Sequence, residues 1–383
     1  MAFDVGEAIP KETLAMVSSD TLEGISDRLV EIFADLERDI LSGMAKRIAA
    51  LGKVEDGTQW QARMMREATG LRRNIDGLLK SYSPKVRAAI KQAVREAYKE
   101  GSEADGEAFT RMAGRDVSLK FATAVEATVQ KLSGDLSRLT ATTAAQCEKQ
   151  FIAQANRAYM QVLSGAFSYA EATKTACDSL AEQGITSVLY VNGKPVTRTI
   201  EAAVRMNVIT GIAQSAAAKT LADCEDLGCD LVEVSAHAGA RPEHEVWQGG
   251  VYSISGTSDK YPPLSVTGYG EVDGLCGVNC RHTFTPWAEG FGRHWTGEQL
   301  AKYEEDERTI DGVAMSRYEA SQKQREAERT LRYWKRREAC EAAGGVDSTK
   351  AAGKVWQWSE RVESICQQAG FRRDYTREQI GGE

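Results

Sequence analysis

The sequence has little proline, few aromatic residues and no hydrophobic run long enough to cross a membrane. Only seven of its 383 residues are proline, and 7% are aromatic. Scarce proline permits long helices, because proline inside a helix removes a backbone hydrogen bond. A membrane-spanning helix needs about 20 consecutive apolar residues. We therefore expect a protein without a membrane-spanning segment.

The charge balance excludes a general nucleic-acid-binding protein. Forty-eight basic and 55 acidic residues give a net charge of −7, whereas nonspecific binding to nucleic acids requires excess positive charge. A hydrophobic content of 42% with 27% charged residues is ordinary for a globular chain and excludes a disordered one. The length predicts two or three structural units.

The cysteines do not form the dense pattern of a small disulfide-rich secreted protein. Eight of them are scattered between Cys147 and Cys366, and the start of the chain, 1–5, lacks the basic and apolar segments of a signal peptide. We therefore expect synthesis in a reducing cytoplasm, with the cysteines present as thiols or metal ligands.

The first 184 residues predict a long helical region. Apolar residues recur at helical spacing in the segment 29–51, and further stripes follow in 86–97 and 121–139. Ser83-Pro84 is typical of a helix start, with serine as the cap and proline in the first turn. The sequence therefore predicts a mainly α protein.

The segment 185–295 predicts a small α+β module. Strand-like segments at 188–191 and 196–199 flank Asn192-Gly193, a pair that favours a tight hairpin turn. A helix beginning at Ile200 and a short strand at 231–235 follow. Residues 237–297 then hold all four histidines, eleven of the 34 glycines and four of the seven prolines. Such a segment favours loops.

The remaining residues, 296–383, predict a basic helical C-terminal tail. Between Met315 and Arg337 there are eight basic and three acidic residues, a net charge of +5. Such a helix is a candidate contact for DNA phosphates, although a solvated face of mixed charge is the alternative. The candidate contact residues are Lys323, Arg325, Arg329, Arg332, Lys335 and Arg336.

The module's histidines and cysteines are the strongest candidate site. Cys276 and Cys280 have spacing typical of a zinc knuckle, and His237 and His244 would add two nitrogen ligands. Two sulfurs and two nitrogens predict a closed structural zinc site, which would order a loop-rich segment. The alternative is that these are buried thiols and histidines bound to the backbone. Cys224 and Cys229 form a second, weaker pair.

An enzymatic interpretation uses the same residues. Cys276 or Cys280 would be the nucleophile and His244 or His282 the base, oriented by Asp273 or Glu243. No local signature of a cysteine hydrolase accompanies them, and no phosphate-binding glycine loop occurs elsewhere.

The loop motifs resemble the phage minor capsid protein 2 family and are similar to the wider Mu F-like head-morphogenesis domain. Arg-Pro-x-His at 241–244, Trp-Gln-Gly at 247–249, and Cys-Gly-x-Asn-Cys-Arg-His at 276–282 carry the resemblance. The motif residues, interpreted as structural, are Arg241, Pro242, Trp247, Gly249, Asn279, Arg281 and His282.

The resemblance implies a minor structural protein of a tailed phage or prophage, present in the virion near the portal vertex. Its expected role is in head assembly and in genome packaging or delivery. The implied partners are the portal protein or the major capsid protein, with weak contact to packaged double-stranded DNA. The family offers no agreed catalytic residues, so we expect no enzymatic activity. The alternative is a zinc- or cysteine-dependent enzyme or effector module in the central region.

Overall fold

The computed structural model describes residues 17–52, 57–119, 121–191 and 194–381. Residues 1–5, for which we expect no signal peptide, and the predicted Asn192-Gly193 turn lie outside these ranges. In chain order the elements are α1 (Ser19–Leu51), α2 (Gly57–Ala113), α3 (Ala122–Leu163), α4 (Tyr169–Gln183), β1 (Thr186–Val191), β2 (Lys194–Thr199), α5 (Ile200–Leu227), β3 (Leu231–Val234), α6 (Pro242–Glu245), β4 (Val251–Ser253), β5 (Phe284–Trp287), α7 (Gly297–Glu304), β6 (Glu307–Ile310), β7 (Val313–Ser316), α8 (Arg317–Ala343) and α9 (Thr349–Ala369). Two short 3₁₀ helices lie at Leu264–Thr267 and Tyr375–Glu378.

The mainly α architecture with long N-terminal helices is confirmed. The apolar stripe predicted in the first of these helices becomes the buried face of α1, where Leu29, Phe33, Leu36, Ile40 and Met44 are all at most 3% exposed. Burial of such a stripe, rather than helix propensity alone, stabilises a long helix. In the described ranges, no helix is long and apolar enough to cross a membrane.

The predicted helix start at Ser83-Pro84 is wrong. Pro84 lies inside the 57-residue helix α2, which continues on both sides of it. An internal proline costs roughly 3 kcal/mol of helix stability. Buried residues before it (Leu71 and Ile75) and after it (Ile90) anchor both halves of the helix. Tertiary packing therefore outweighs the local signal.

One hairpin precedes and another follows the loop-rich segment 237–297 in the sequence. The predicted pair β1 and β2 is antiparallel, with Thr186 opposite Thr199. A second hairpin, β6 and β7, lies in the C-terminal tail where we expected only helix. Its turn is Asp311-Gly312, and both residues have positive φ angles, +54° and +77°. The Asp-Gly pair is the local signal that predicts such a turn.

The described chain forms two compact units, and each is discontinuous in sequence. Of the described residues, unit 1 combines 17–26, 88–119, 121–133 and 205–321, and unit 2 combines 27–52, 57–87, 134–191, 194–204 and 322–381. The division of the sequence into 1–184, 185–295 and 296–383 stays a prediction, because compactness alone does not test which segments fold independently.

Unit 1 contains the central sheet, in which β3 lies between β4 and β5. Both pairings are antiparallel, with Leu231 of β3 opposite Ser253 and Trp287. Helices α3 and α5 approach closely, since a Cβ at Gly211 would lie 2.4 Å from a methyl carbon of Leu132. The sheet and these helices form the frame from which the loops extend.

A buried carboxyl group joins three elements of unit 1. Asp105 of α2 is 4% exposed and accepts hydrogen bonds from the hydroxyls of Thr220 in α5 (2.6 Å) and Thr285 in β5 (2.9 Å). Burial raises the pKa of Asp105 to about 7, although the two threonine hydrogen bonds lower it. The protonated form is therefore favoured in the folded state at mildly acidic pH.

This shift predicts the pH dependence of an Asp105→Asn variant. The folded pKa lies above the unfolded one, so wild-type stability falls as pH rises between about 4 and 7, by up to about 1.4 kcal/mol per pH unit from this group. Asparagine does not ionise, so the variant should melt several degrees above wild type at pH 8 and at a similar temperature at pH 4.5. Thermal unfolding at both pH values tests this.

Asp226→Asn is the matched control, because Asp226 is exposed in the same unit. We expect its melting temperature to follow wild type at both pH values. An Asp105→Asn variant that is no more stable than wild type at pH 8 would contradict the prediction.

Candidate metal centre

Two loops of unit 1 bring the histidines and cysteines together. The first contains α6, where Pro242 occupies the first helical turn and places His244 on the inner side. The second runs from the 3₁₀ helix to β5 and contains Cys276, Cys280 and His282. The central sheet positions both loops, because the first follows β3 and the second leads into β5.

The second loop is closed so tightly that two positions require glycine. A Cβ at Gly274 would lie 2.0 Å from the carbonyl oxygen of Gly268, and a Cβ at Gly277 would lie 2.3 Å from that of Glu271. Cys276 and Asn279 have positive φ angles of 57° and 55°. Asparagine tolerates this conformation, whereas a cysteine there is strained. Backbone strain is therefore concentrated beside the cluster.

Three side chains converge on one point. The Sγ atom of Cys280 lies 3.7 Å from Nδ1 of His244 and 3.6 Å from Nδ1 of His282. All three ligand atoms lie within 4.8 Å of one another. The exposed fractions are 3% for His244 and 1% for both Cys280 and His282.

The outer nitrogen of each histidine is held by an oxygen acceptor. Nε2 of His244 lies 2.8 Å from the carbonyl oxygen of Asp273, and Nε2 of His282 lies 3.0 Å from Oε1 of Gln248. The same Gln248 oxygen accepts a hydrogen bond from the backbone N–H of His237 at 2.9 Å. These contacts assign the imidazole proton to Nε2 in both rings.

Burial disfavours the charged form of each of the three groups. It lowers the pKa of His244 and lowers that of His282 well below its usual range. It also raises the pKa of the Cys280 thiol. A reactive cysteine requires the opposite, an accessible sulfur with a lowered pKa. The cysteine-hydrolase alternative therefore gains no support from the geometry.

Two of the four predicted zinc ligands, His244 and Cys280, lie in the cluster, and the other two lie beside it. The thiol of Cys276 faces the carbonyl oxygen of His282 at 3.6 Å. The ring of His237 stacks on His282 at 4.4 Å between centroids, and its Nδ1 lies 3.2 Å from the carbonyl oxygen of Ala238. Nε2 of His237 is buried and has no hydrogen-bond partner among the described residues.

The predicted motif residues surround this cluster. Trp247 packs against both His244 and His282, each at 4.7 Å between ring centroids. Arg241 donates to the carbonyl oxygen of Val278 at 3.1 Å, so it clamps the two loops together.

Two further motif residues connect the loops to the rest of unit 1, and a third, Gly249, has a backbone conformation that favours glycine. Arg281 forms an ion pair of 3.1 Å with Glu23 of α1. The backbone N–H of Asn279 donates to the hydroxyl of Thr210 in α5. Gly249 has a φ of +60°, which favours glycine.

Gln248 and Glu233 are the polar residues that the sequence analysis did not single out. Gln248 belongs to the Trp-Gln-Gly motif, but nothing in its local sequence indicates that its oxygen serves two donors. Glu233 of β3 is fully buried and accepts hydrogen bonds from the side chain of Arg293 at 3.0 Å and from the backbone and ring of His294. A glutamate within a short apolar strand is the signal that could have indicated it.

The second cysteine pair lies at the end of α5. Cys224 is buried, and Cys229 is partly exposed, with its thiol 3.3 Å from the carbonyl oxygen of Leu231. Contact with Cys224 lowers the pKa of Cys229 to about 7. All eight cysteines are free of disulfide bonds.

The candidate DNA-contact residues of α8 divide by burial within unit 2. Arg332 and Arg336 are both 9% exposed. Arg332 pairs with Glu201 at 2.9 Å and Arg336 with Glu37 at 3.5 Å. The others are the partly exposed Arg325 and Lys335 and the exposed Lys323 and Arg329.

The chain is similar to structural proteins of phages. The family model described as "Phage minor capsid protein 2" matches residues 17–365. A "Structural protein" of Lactococcus phage LL-H is 23% identical over 376 residues, covering 89% of this chain and 93% of the relative. A "Structural protein" of Lactococcus phage mv4 is 32% identical over 124 residues, covering 32% of this chain and 93% of the relative. No solved structure matches significantly.

The tight closure of the 268–280 loop predicts that two glycine-to-alanine substitutions differ strongly in their effect on the free energy of unfolding. Gly274→Ala should lower the free energy of unfolding by about 3 kcal/mol or more, because its Cβ overlaps backbone that a rotamer change cannot move. It would also displace the Asp273 carbonyl that accepts from His244. Gly292→Ala is the control, since nothing lies within 4 Å of its Cβ position. Urea unfolding of both variants measures the difference, and equal stabilities would contradict the loop geometry.

Proposed function

Because the chain belongs to the phage minor capsid protein 2 family, we propose that it acts at the portal vertex of a tailed-phage head, in head assembly and in genome packaging or delivery. The resemblance inferred from the loop motifs is confirmed by the family match over residues 17–365. A phage structural protein is a virion component, and we propose that it is made in the host cytoplasm. The family match is the observation that supports this proposal.

The helices offer surface for partner proteins. In α9, Trp356 is 70% exposed, and tryptophan is enriched in protein interfaces relative to the rest of a surface. In α2, the segment 76–89 contains no buried residue. We propose that such faces contact the portal protein or the major capsid protein.

We propose a structural role without catalysis for the histidine–cysteine cluster. His244, Cys280 and His282 are each at most 3% exposed, so a substrate could not reach them without opening the loops. Burial also raises the pKa of the Cys280 thiol, whereas a catalytic cysteine requires a lowered one. These observations favour a role of the cluster in stabilising the fold rather than in catalysis.

The virion role predicts the composition of purified particles. We expect quantitative mass spectrometry of gradient-purified phage to find the protein at a few to a few tens of copies per particle, relative to the major capsid protein. Replacing Trp356 with serine should lower that copy number if α9 contacts the vertex. Val266→Ser is the control, because Val266 is also exposed (59%) but lies in the loop module.

Two results would contradict this proposal. The first is absence of the protein from infectious particles. The second is a deletion phage that fills and releases normal heads. A protein absent from particles but needed for filled heads would contradict the virion location and leave an assembly role.

Weak contact with packaged DNA is a second proposal, and it concerns the exposed part of α8. Lys323 and Arg329 are exposed, whereas the charges of Arg332 and Arg336 are already paired. Each phosphate contact contributes about −0.9 to the slope of log affinity against log salt concentration.

Neutralising both exposed residues predicts a smaller salt dependence. Lys323→Gln with Arg329→Gln should reduce the slope for duplex binding by about 2. Lys260→Gln with Lys302→Gln removes two exposed charges elsewhere and should leave the slope unchanged. A salt titration by fluorescence anisotropy measures both variants. Wild-type binding without salt dependence would rule out the contact.

A further inference from the structure

The cluster has one hydrogen-bond donor too few for the contacts that its three side chains make. Both imidazoles carry their proton on Nε2, since each Nε2 faces an oxygen acceptor, the carbonyl of Asp273 or the amide oxygen of Gln248. The oxygen and nitrogen of the Gln248 side-chain amide cannot be exchanged by a flip, because the oxygen also accepts a hydrogen bond from the backbone N–H of His237. Both Nδ1 atoms therefore present bare lone pairs to Cys280.

One thiol cannot satisfy two such lone pairs. The Cys280 sulfur lies 3.7 and 3.6 Å from the two Nδ1 atoms, but a thiol has a single proton to donate. The second nitrogen then faces sulfur lone pairs inside a site that excludes water. A buried acceptor without a donor destabilises the folded state.

A divalent cation between the three atoms would resolve this conflict. With zinc–sulfur and zinc–nitrogen bonds of about 2.3 and 2.05 Å and tetrahedral angles, sulfur and nitrogen ligands lie about 3.6 Å apart. The observed separations of 3.6 and 3.7 Å agree with that value. A thiolate with two imidazoles is a donor set that suits zinc.

The surroundings also have the form expected around a metal. Histidine ligands usually donate their other N–H to a carbonyl or carboxylate, which fixes the ring. Here the Asp273 carbonyl and Gln248 occupy those positions at 2.8 and 3.0 Å. Trp247 packs over both rings and excludes solvent.

We propose that His244 through Nδ1, Cys280 through Sγ and His282 through Nδ1 bind one structural zinc ion that ties α6 to the 276–282 loop. Cys276 and His237, which sequence spacing had suggested as ligands, lie outside this set. Binding converts the Cys280 thiol to a thiolate and releases its proton to solvent. The ion would then join two loops that are distant in the sequence.

The test uses the full-length protein, purified without a polyhistidine tag and refolded with cobalt(II) or zinc(II) alone. We expect about one equivalent of zinc per chain by elemental analysis. The cobalt form should show thiolate-to-metal charge-transfer absorption in the near ultraviolet. A wild-type protein that is folded, binds no equivalent of either ion and lacks this band would overturn the proposal.

Matched variants assign the ligands. Cys280→Ser and His282→Gln should each lower affinity for zinc at least tenfold, and Cys280→Ser should abolish the charge-transfer band. Cys276→Ser and His294→Gln are the controls and should retain both the ion and the band. Gln248→Leu should weaken binding about 10–100-fold while the band remains. Loss of the ion from Cys276→Ser as complete as from Cys280→Ser would overturn the three-ligand assignment. If ligand variants do not fold, the wild-type cobalt spectrum still decides.

Discussion

The loop module depends on one constraint, the contact of a single buried sulfur with two histidine nitrogens. Cys280, His244 and His282 approach one another only because the 268–280 loop closes on itself so tightly that Gly274 and Gly277 allow no side chain. The strained backbone at Cys276 is a further consequence of that closure. The outer contacts of Asp273 and Gln248 orient the two rings. Polar contacts therefore order a segment that contains only short strands.

A second theme is the pairing of buried arginines with carboxylates in the described part of unit 2. The guanidinium of Arg336 donates to the carbonyl oxygen of Ala181 and lies 3.5 Å from Glu37, whose other oxygen accepts from the backbone of Ile185. Removing one partner of such a pair leaves an uncompensated buried charge, which is costly. Much of the positive charge of α8 thus serves the interior of the unit. The excess of basic residues in its sequence overstates what DNA could contact.

For a phage structural protein, these two features have different uses. Long helices have extended exposed faces, and under the proposed function these faces would contact neighbouring proteins of the head. The loop module instead concentrates glycine, histidine and cysteine where backbone conformation and polar contacts dominate. The motifs by which the sequence resembles the family lie in this module, and motif residues such as Arg241, Trp247 and Arg281 support the cluster or its loops.

The sequence by itself determined the helical class, the pairing of the first hairpin and the family. These follow from apolar periodicity, from glycine and proline content and from motifs that are local in the chain. Tertiary structure decided three other features. Helix α2 continues through Pro84 because buried residues on both sides anchor it. Arg332 and Arg336 of α8 lie in the interior. His282 faces Cys280, whereas His237 and Cys276 lie beside the cluster. Sequence spacing identifies which side chains can meet, but the direction of each side chain depends on how distant segments pack.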